Sequence, residues 1–249
     1  MILRRLVLAA ALAPLALALA ACGGNDAAEG AAPPSSEPIA AIAPPAGKSW
    51  TEFAATTPEG GNRIGNPEAP IRLVGYASHT CSHCADFAAA AAGPLEDYIA
   101  SGRVSYEIRN QIHDPIDLTI AILVRCGSPE TFHPLANQAW AGFEEIITAA
   151  QANAAALDRA TQAEGPQRFQ AIAEAAGLFD FFAARGISRD QAMQCLSDPA
   201  AAERIIANST TQSDELGVTG TPTFFLNGTR LDASNWPEVE AALRQAGAR

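Results

Sequence analysis

Two cysteines, Cys81 and Cys84, are separated by two residues, the second of which is His83. They follow an apolar, β-branched run at 71–77 and precede a helical pattern that extends over 84–100. A thiol at the N-terminus of a helix ionises easily, because unpaired backbone N–H groups and the helix dipole favour an anion. Only the thiolate attacks disulfides, and we expect the His83 imidazole to stabilise it further. The spacing therefore predicts thiol-disulfide exchange chemistry.

A metal site is the alternative interpretation of the same stretch. His79, Cys81, His83 and Cys84 provide four soft or borderline ligands within six residues. A closed zinc site normally draws its ligands from two separated pairs, and the sequence has no second Cys or His pair of that kind. We therefore assign no metal, while a copper-binding role and a purely structural disulfide stay open as alternatives.

A second motif lies near the C-terminus, where GVTGTPTFFLNG occupies 217–228. Together with GNPEAPIRLVGYASHTCSHCADF around the two cysteines, it resembles the DsbA-like branch of the thioredoxin superfamily, from about residue 50 to the C-terminus. The resemblance implies an α/β thioredoxin fold, with a central mixed sheet flanked by helices and an inserted helical domain. It also implies an enzyme, a protein thiol-disulfide oxidoreductase.

The resemblance assigns roles to individual residues. Cys81 would form the mixed disulfide with a substrate and Cys84 would resolve it, the two forming the redox disulfide. Thr221 and Pro222 would share a cis peptide bond and present backbone groups to an extended substrate chain. Pro222 and His83 complete the expected catalytic set, and no metal, nucleotide or organic cofactor is implied.

One position departs from the family pattern. Thioredoxin-like enzymes commonly carry a buried acid six residues before the first active-site cysteine, and here that position is Gly75. Glu107, on the strand pattern at 103–109, or a water molecule could take over the proton. The sequence leaves these two alternatives open.

The middle of the chain is helical by pattern. A first helix is expected at 118–126, between Asp117 as N-cap and Gly127 as C-cap. Further helical patterns follow, with Gly-Pro and Asp-Pro pairs as breaks between them: 129–140, 143–160, 166–185, 188–196 and 199–216. His113 and His133 are expected in a loop and on a helix surface, without a role.

The N-terminal part predicts export. Residues 1–21 carry two arginines and an apolar run that is short for a membrane span. The sequence Leu-Ala-Ala-Cys that ends at Cys22 resembles a bacterial lipobox, which implies that Cys22 becomes the lipid-carrying N-terminus. Ordinary cleavage nearby and an uncleaved anchor are the alternatives. The expected localisation is extracytoplasmic, in the periplasm or cell envelope, with the protein anchored to a membrane.

The expected organisation has four parts. They are a lipoprotein-type signal peptide at 1–21, a disordered linker at 22–49, a thioredoxin-like domain formed by 50–116 and 217–249, and an inserted helical domain at 117–216. No dimerisation domain fits in the linker, so we expect a monomer.

Cysteine arithmetic agrees with this organisation. Of the five cysteines, Cys81 and Cys84 form the redox pair, and Cys22 is left over for lipid. Cys126 and Cys195 can pair as a structural disulfide in an oxidising compartment. Two buried thiols that pack as small apolar groups are the alternative.

The net charge of −11 argues against nucleic acid as a partner. The expected substrates are cysteine-containing exported proteins, and a membrane redox partner, unidentified by the sequence, would set the direction of electron flow. A histidine-containing dipeptide between the cysteines resembles that of oxidising members of the family, so an oxidase is favoured. A reductase or isomerase, and a copper-binding chaperone, are the alternatives.

Overall fold

A computed structural model describes residues 36–165 and 167–249, so the predicted signal peptide and Cys22 lie outside the described residues. Within the described part, six strands form one sheet in the order β1-β2-β4-β3-β5-β6. The strands are β1 (Ala54–Thr56), β2 (Asn62–Gly65), β3 (Ile71–Ala77), β4 (Val104–Asn110), β5 (Thr223–Leu226) and β6 (Thr229–Arg230). The predicted mixed α/β fold is confirmed.

The centre of the fold is a β3-α1-β4 unit, where helix α1 spans Ser82–Ala100. Strands β3 and β4 are parallel and pair from Ile71 opposite Val104 onwards, as a strand-helix-strand crossover requires. The buried side chains of α1 recur every three or four residues, so that one face of the helix packs on the sheet. These side chains are Cys84, Phe87, Ala91, Leu95 and Ile99.

The C-terminal hairpin adds two strands beside β3. Strand β5 pairs antiparallel with β3 and with β6. The turn between β5 and β6 contains Asn227 and Gly228, with φ angles of 50° and 83°. Asn and Gly tolerate positive φ, which is why an Asn-Gly pair favours this hairpin. Helix α10 (Trp236–Gln245) closes the chain.

Eight helices of the described residues lie between β4 and β5. They are α2 (Pro115–Leu123), α3 (Pro129–Ala141), α4 (Phe143–Ala152), α5 (Ala154–Thr161), α6 (Gln167–Ala175), α7 (Leu178–Ala183), α8 (Arg189–Leu196) and α9 (Pro199–Leu216). Two predicted helices, 143–160 and 166–185, are wrong in that each is divided. Asn153 interrupts one with φ −112° and ψ 24°, and Gly177 interrupts the other with φ 70°, a left-handed conformation that suits glycine.

The start of α2 also differs from the prediction. The N-cap is Asp114, whose carboxylate accepts hydrogen bonds from the backbone N–H groups of Ile116 and Asp117. Pro115 then occupies the first helical position, where its missing N–H costs nothing. Asp117 is therefore a buried residue of the first turn, and its carboxylate is available for contacts elsewhere.

Residues 36–49, predicted as the end of a disordered linker, lie against the folded domain. The N–H of Ile39 donates to the carbonyl of Gly247, and the N–H of Ile42 donates to the carbonyl of Ser101. Trp50 donates its indole N–H to the carbonyl of Ile42 at 2.7 Å. The side chain of Ile39 packs on the core, a contact that this segment, rich in alanine and proline and without periodicity, did not predict. In the described part of the chain, no helix has the length and apolar character needed to span a membrane.

Candidate active site

The two cysteines lie at the N-terminus of α1, in different environments. Cys81 is the N-cap residue with extended backbone angles, and it is partly exposed. Cys84 lies in the first turn and only 2% of it is exposed. Both are free thiols. One thiol can therefore meet an incoming molecule while the other stays protected behind it.

The surroundings of Cys81 favour its thiolate. Its pKa is lowered to about 5, and the largest cause is a hydrogen bond from the Cys84 thiol. Burial works against this, whereas the Thr221 side chain and the backbone N–H groups of Cys84 and His83 work in favour. The pKa of Cys84 is raised, because its proton is held by Cys81 and because its charged form would be buried. The pair thus holds one proton on the inner sulfur and negative charge on the outer one.

His83 contributes through its backbone. Its imidazole is 80% exposed, with Nδ1 3.9 Å from a carboxylate oxygen of the equally exposed Asp86. An ion pair so exposed is worth little. The motif predicts that the imidazole stabilises the thiolate; in the structure, the backbone N–H of His83 is among the groups that lower the pKa of Cys81.

The loop before β5 faces the outer thiol. The peptide bond between Thr221 and Pro222 is cis, and the Cys81 Sγ lies 3.3 Å from the carbonyl oxygen of Thr221, to which the thiol donates when it is protonated. Pairing between the strands explains this proximity, because Thr223 opposes Tyr76 near the end of β3. The chain just before β5 therefore meets the chain just after β3.

The space above Gly75 is filled by aromatic groups. A Cβ atom at Gly75 would lie 3.0 Å from the Tyr106 hydroxyl and 3.0 Å from a ring carbon of Phe224. Burial raises the pKa of Tyr106, and the charge of Cys84 raises it further, so this hydroxyl is a neutral polar group near the inner thiol. In the sequence, only the alternating pattern of strand β4 indicated that Tyr106 lies on this face of the sheet.

Glu107 does not replace the missing acid. It lies opposite Val74 in the β3-β4 register, one residue from the pair that contains Gly75. Successive side chains of a strand point to opposite faces, so Glu107 lies on the other face of the sheet. There its carboxylate accepts hydrogen bonds from Thr57 at 2.8 Å and from Arg109 at 2.7 Å.

The N-cap and first turn of α2 hold the active-site loop. The fully buried carboxylate of Asp117 accepts the backbone N–H of His79 at 2.8 Å and that of His113 at 3.0 Å. The second oxygen of the Asp114 carboxylate accepts the hydroxyl of Thr80 at 2.6 Å. Neither role was predicted, because an Asp-Pro-Ile-Asp run indicates the start of a helix but does not indicate which loop its side chains contact.

His79 and Trp140 pack beneath this loop. The His79 ring is buried and stacks on the Trp140 indole at 5.0 Å between ring centroids, and its Nδ1 lies 3.4 Å from Asp117. Trp140 donates its N–H to the carbonyl of Ser78 at 2.9 Å. The segment that leads to Cys81 is thus fixed from below by residues of the inserted helices.

The remaining predicted residues lie elsewhere. Cys126, just after α2, and Cys195, in α8, form a disulfide. The prediction that His133 lies on a helix surface is wrong: it is buried, with Nε2 2.9 Å from the carbonyl oxygen of Asn62, and burial lowers its pKa to about 4. Within the described residues, no group of three or more His, Cys, Asp and Glu side chains is arranged to hold a metal.

Fold and site together define a class: a thioredoxin-type α/β protein with a Cys-x-x-Cys dithiol at a helix N-terminus, a facing cis-proline loop and inserted helices. The family model described as Thioredoxin matches residues 57–245. The chain belongs to this thioredoxin family, and its architecture is that of the DsbA-like members.

Solved structures agree with this assignment. The chain is 30% identical to a protein-disulfide isomerase of Novosphingobium aromaticivorans, with a TM-score of 0.69, and the match covers 73% of this chain and 94% of that one. It shares its fold with α-DsbA1 of Wolbachia pipientis, at 20% identity and a TM-score of 0.59, where the match covers 74% and 88% of the two chains.

Sequence relatives carry related names. A protein of Rickettsia bellii assigned as a protein-disulfide oxidoreductase is 27% identical over 74% of this chain and 63% of its own length. One of Rickettsia typhi is 28% identical over 74% of this chain and 60% of its own length. The match thus spans less than two thirds of these relatives.

Proposed function

We propose that this protein is an exported thiol-disulfide oxidoreductase that exchanges disulfides with cysteines of other exported proteins, and that it acts as an oxidase. One observation carries the proposal. The partly exposed Cys81 has its thiolate stabilised at the N-terminus of α1, while the buried Cys84 keeps its proton behind it. This asymmetry supports Cys81 as the sulfur that meets the substrate and Cys84 as the resolving sulfur.

The exchange proceeds in two displacement steps from the oxidised enzyme. A substrate thiolate attacks the Cys81 sulfur, the Cys81–Cys84 bond breaks, and the Cys84 sulfur leaves and takes up a proton. A second substrate thiolate then attacks the substrate sulfur of the mixed disulfide, and Cys81 leaves as a thiolate. The substrate loses two electrons and gains a disulfide, while the enzyme ends as the dithiol.

The low pKa of Cys81 supports the direction. A sulfur of low pKa leaves readily, which favours the second step. A stabilised thiolate also stabilises the reduced enzyme, so the disulfide form becomes the stronger oxidant. We therefore propose that a membrane redox partner reoxidises the dithiol.

The cis-proline loop supports a mode of substrate binding. Thr221 lies beside the Cys81 sulfur, and Pro222 follows it directly before β5. An extended chain bound there would pair its backbone with the loop, as peptides do with exposed strand edges. We propose that these two residues hold the segment around the substrate cysteine.

The first test is the reduction potential of the Cys81–Cys84 pair, measured in glutathione buffers, together with oxidation of a reduced two-cysteine peptide. Cys81→Ser serves as the inactive control. An oxidase requires a potential well above the roughly −270 mV of thioredoxin and peptide oxidation that Cys81→Ser lacks. A potential near that of thioredoxin would contradict the oxidase and support a reductase or isomerase instead.

A copper titration of the reduced protein separates the enzyme from a copper-binding chaperone. Binding without any disulfide exchange would overturn the proposed enzyme. Exchange activity that copper merely inhibits, through the same two thiols, would agree with it.

Export and anchoring are part of the proposal. The sequence before Cys22 and the Cys126–Cys195 disulfide, a bond typical of oxidising compartments, support them. We propose that Cys22 carries lipid and that the folded domain is a monomer. Incorporation of labelled fatty acid, lost in Cys22→Ala, would agree. Its absence from the wild-type chain would contradict the anchor and leave the oxidoreductase untouched.

A further inference from the structure

His113 is a polar side chain at the active site that the sequence left without a role. It lies in the connection between β4 and α2, and its ring is exposed. Its Nε2 lies 3.2 Å from the hydroxyl oxygen of Thr221, although 108 residues separate the two in the chain. The contact therefore joins the start of the inserted helices to the cis-proline loop.

The backbone of His113 is held in place for this contact. Its N–H donates to the buried carboxylate of Asp117 at 3.0 Å, and the same carboxylate binds the active-site loop through the N–H of His79. The neighbouring Gln111 donates its side-chain amide to the carbonyl of Val218 at 2.9 Å, in the segment that leads to the cis-proline loop. The connection thus touches both loops that flank the dithiol.

Thr221 in turn acts on the sulfurs. Its carbonyl oxygen lies 3.3 Å from the Cys81 sulfur, and its side chain acts to lower the pKa of Cys81 and, against the larger opposing causes, that of Cys84. A hydroxyl that favours a thiolate must donate its one proton to sulfur, since donation stabilises the anion. Its oxygen is then free to accept a hydrogen bond, and the group within reach is the His113 ring nitrogen.

We propose that His113 is a positioning residue for the exchange reaction: its Nε2–H donates to the Thr221 hydroxyl oxygen, which directs the hydroxyl proton towards the Cys81 sulfur. Such a chain polarises the hydroxyl and strengthens its bond to the thiolate. It also limits rotation of the Thr221 side chain, so that less conformational entropy is lost when the hydroxyl binds the thiolate. This inference rests on the proposed function, because it concerns the same thiolate.

The test compares His113→Phe, which keeps the ring shape without the donor, with His113→Gln, whose amide nitrogen reaches about the place of Nε2. The readouts are the Cys81 pKa from thiolate absorbance and the rate of alkylation at pH 6. We expect His113→Phe to lower the acid dissociation constant of Cys81 by about three- to tenfold, in line with losing part of one hydrogen bond to a charged group. We expect His113→Gln to stay within about twofold of the wild type, since its amide restores the donor.

A double-mutant cycle with Thr221→Val makes the test specific. Without the hydroxyl, His113→Phe should change the acid dissociation constant less than about twofold, because the relay is already broken. An equal effect of His113→Phe in both backgrounds, a wild-type value in His113→Phe, or failure of Gln to rescue would each overturn the inference. If the wild-type enzyme itself shows neither an acidic Cys81 nor disulfide exchange, the proposed function fails instead.

Discussion

The sulfur of Cys81 lies 3.3 Å from the carbonyl oxygen of Thr221, although 140 residues separate them in the chain. The contact joins the N-terminus of α1 to the loop before β5. These two segments lie close together because β3 pairs with β5. The surroundings of the reactive sulfur thus come from both segments of the thioredoxin-like part, which the inserted helices separate in the sequence.

Cys84→Ala should raise the pKa of Cys81, because the hydrogen bond from the Cys84 thiol is the largest cause of its low value. The same variant should accumulate a mixed disulfide with an oxidised substrate peptide, because the Cys81 thiolate attacks the peptide disulfide, one peptide thiol leaves, and the resolving thiol of the enzyme is gone. Thiolate absorbance between pH 3 and 10 and mass spectrometry measure the two effects. An unchanged pKa would contradict the role of Cys84 as the donor to Cys81.

The stability of the reduced protein should depend on pH through Cys81. The pKa of this acidic group is lower in the folded protein, about 5, than its ordinary value of 9.0, so the folded state binds fewer protons between these values. The stabilisation is therefore complete above about pH 9 and is lost as the pH falls through about 5.

Urea unfolding of the reduced protein from pH 4 to 9, compared with reduced Cys81→Ser, measures this dependence. The difference in free energy of unfolding between the two proteins should grow with pH across that window. A flat difference would contradict the stabilised thiolate. The raised pKa of Cys84 affects stability only at pH values above the ordinary pKa of a cysteine thiol, so it does not cancel the trend across this window.

Gly75→Ala should destabilise the protein by about 1–3 kcal/mol, because the added methyl group meets Tyr106 and Phe224 at 3.0 Å in a packed core. Gly93→Ala, on the exposed side of α1, is the control: apart from the backbone of its own helix, no atom lies within 4 Å of its Cβ position, and the change should be neutral or should stabilise the protein by up to about 1 kcal/mol, because Ala favours a helix over Gly. Chemical denaturation measures both. Equal effects would mean that the space above Gly75 is not restricted.

Asp117→Ala should cost about 2–4 kcal/mol of stability, because the backbone N–H groups of His79 and His113 lose their buried acceptor. Asp117→Asn keeps one carbonyl acceptor and should lose less. The exposed Asp86→Asn serves as a control and should change little. Thermal unfolding of the three variants measures the order of their stability losses. A loss in Asp86→Asn equal to that in Asp117→Ala would contradict the predicted order.

Replacement of both Cys126 and Cys195 by serine should lower stability by about 2–4 kcal/mol, because their bond closes a long loop in the unfolded chain. The pKa of Cys81 should not change, since neither residue is among the groups that act on its thiol. Denaturation and thiolate absorbance are the two readouts. A shifted Cys81 pKa would show that the disulfide also orders the active site.

The sequence by itself determined the parts whose cause is local. An apolar β-branched run makes β3, the spacing of Cys81 and Cys84 places both thiols on the first turn of α1, and Asn227 with Gly228 makes the hairpin turn. Each of these follows from the conformational preferences of neighbouring residues. Resemblance to a known family extended this to the cis bond before Pro222.

Only the tertiary structure decided which distant groups meet. Asp117 has the sequence context of a helix cap, yet its carboxylate binds the active-site loop; His83 has a suitable imidazole, yet its backbone N–H acts on Cys81; His113 meets Thr221. Local preference fixes the conformation of a segment but not its neighbours, because strand register and helix packing set the distances between segments. Glu107 illustrates the limit, since one step along β4 moves its side chain to the other face of the sheet.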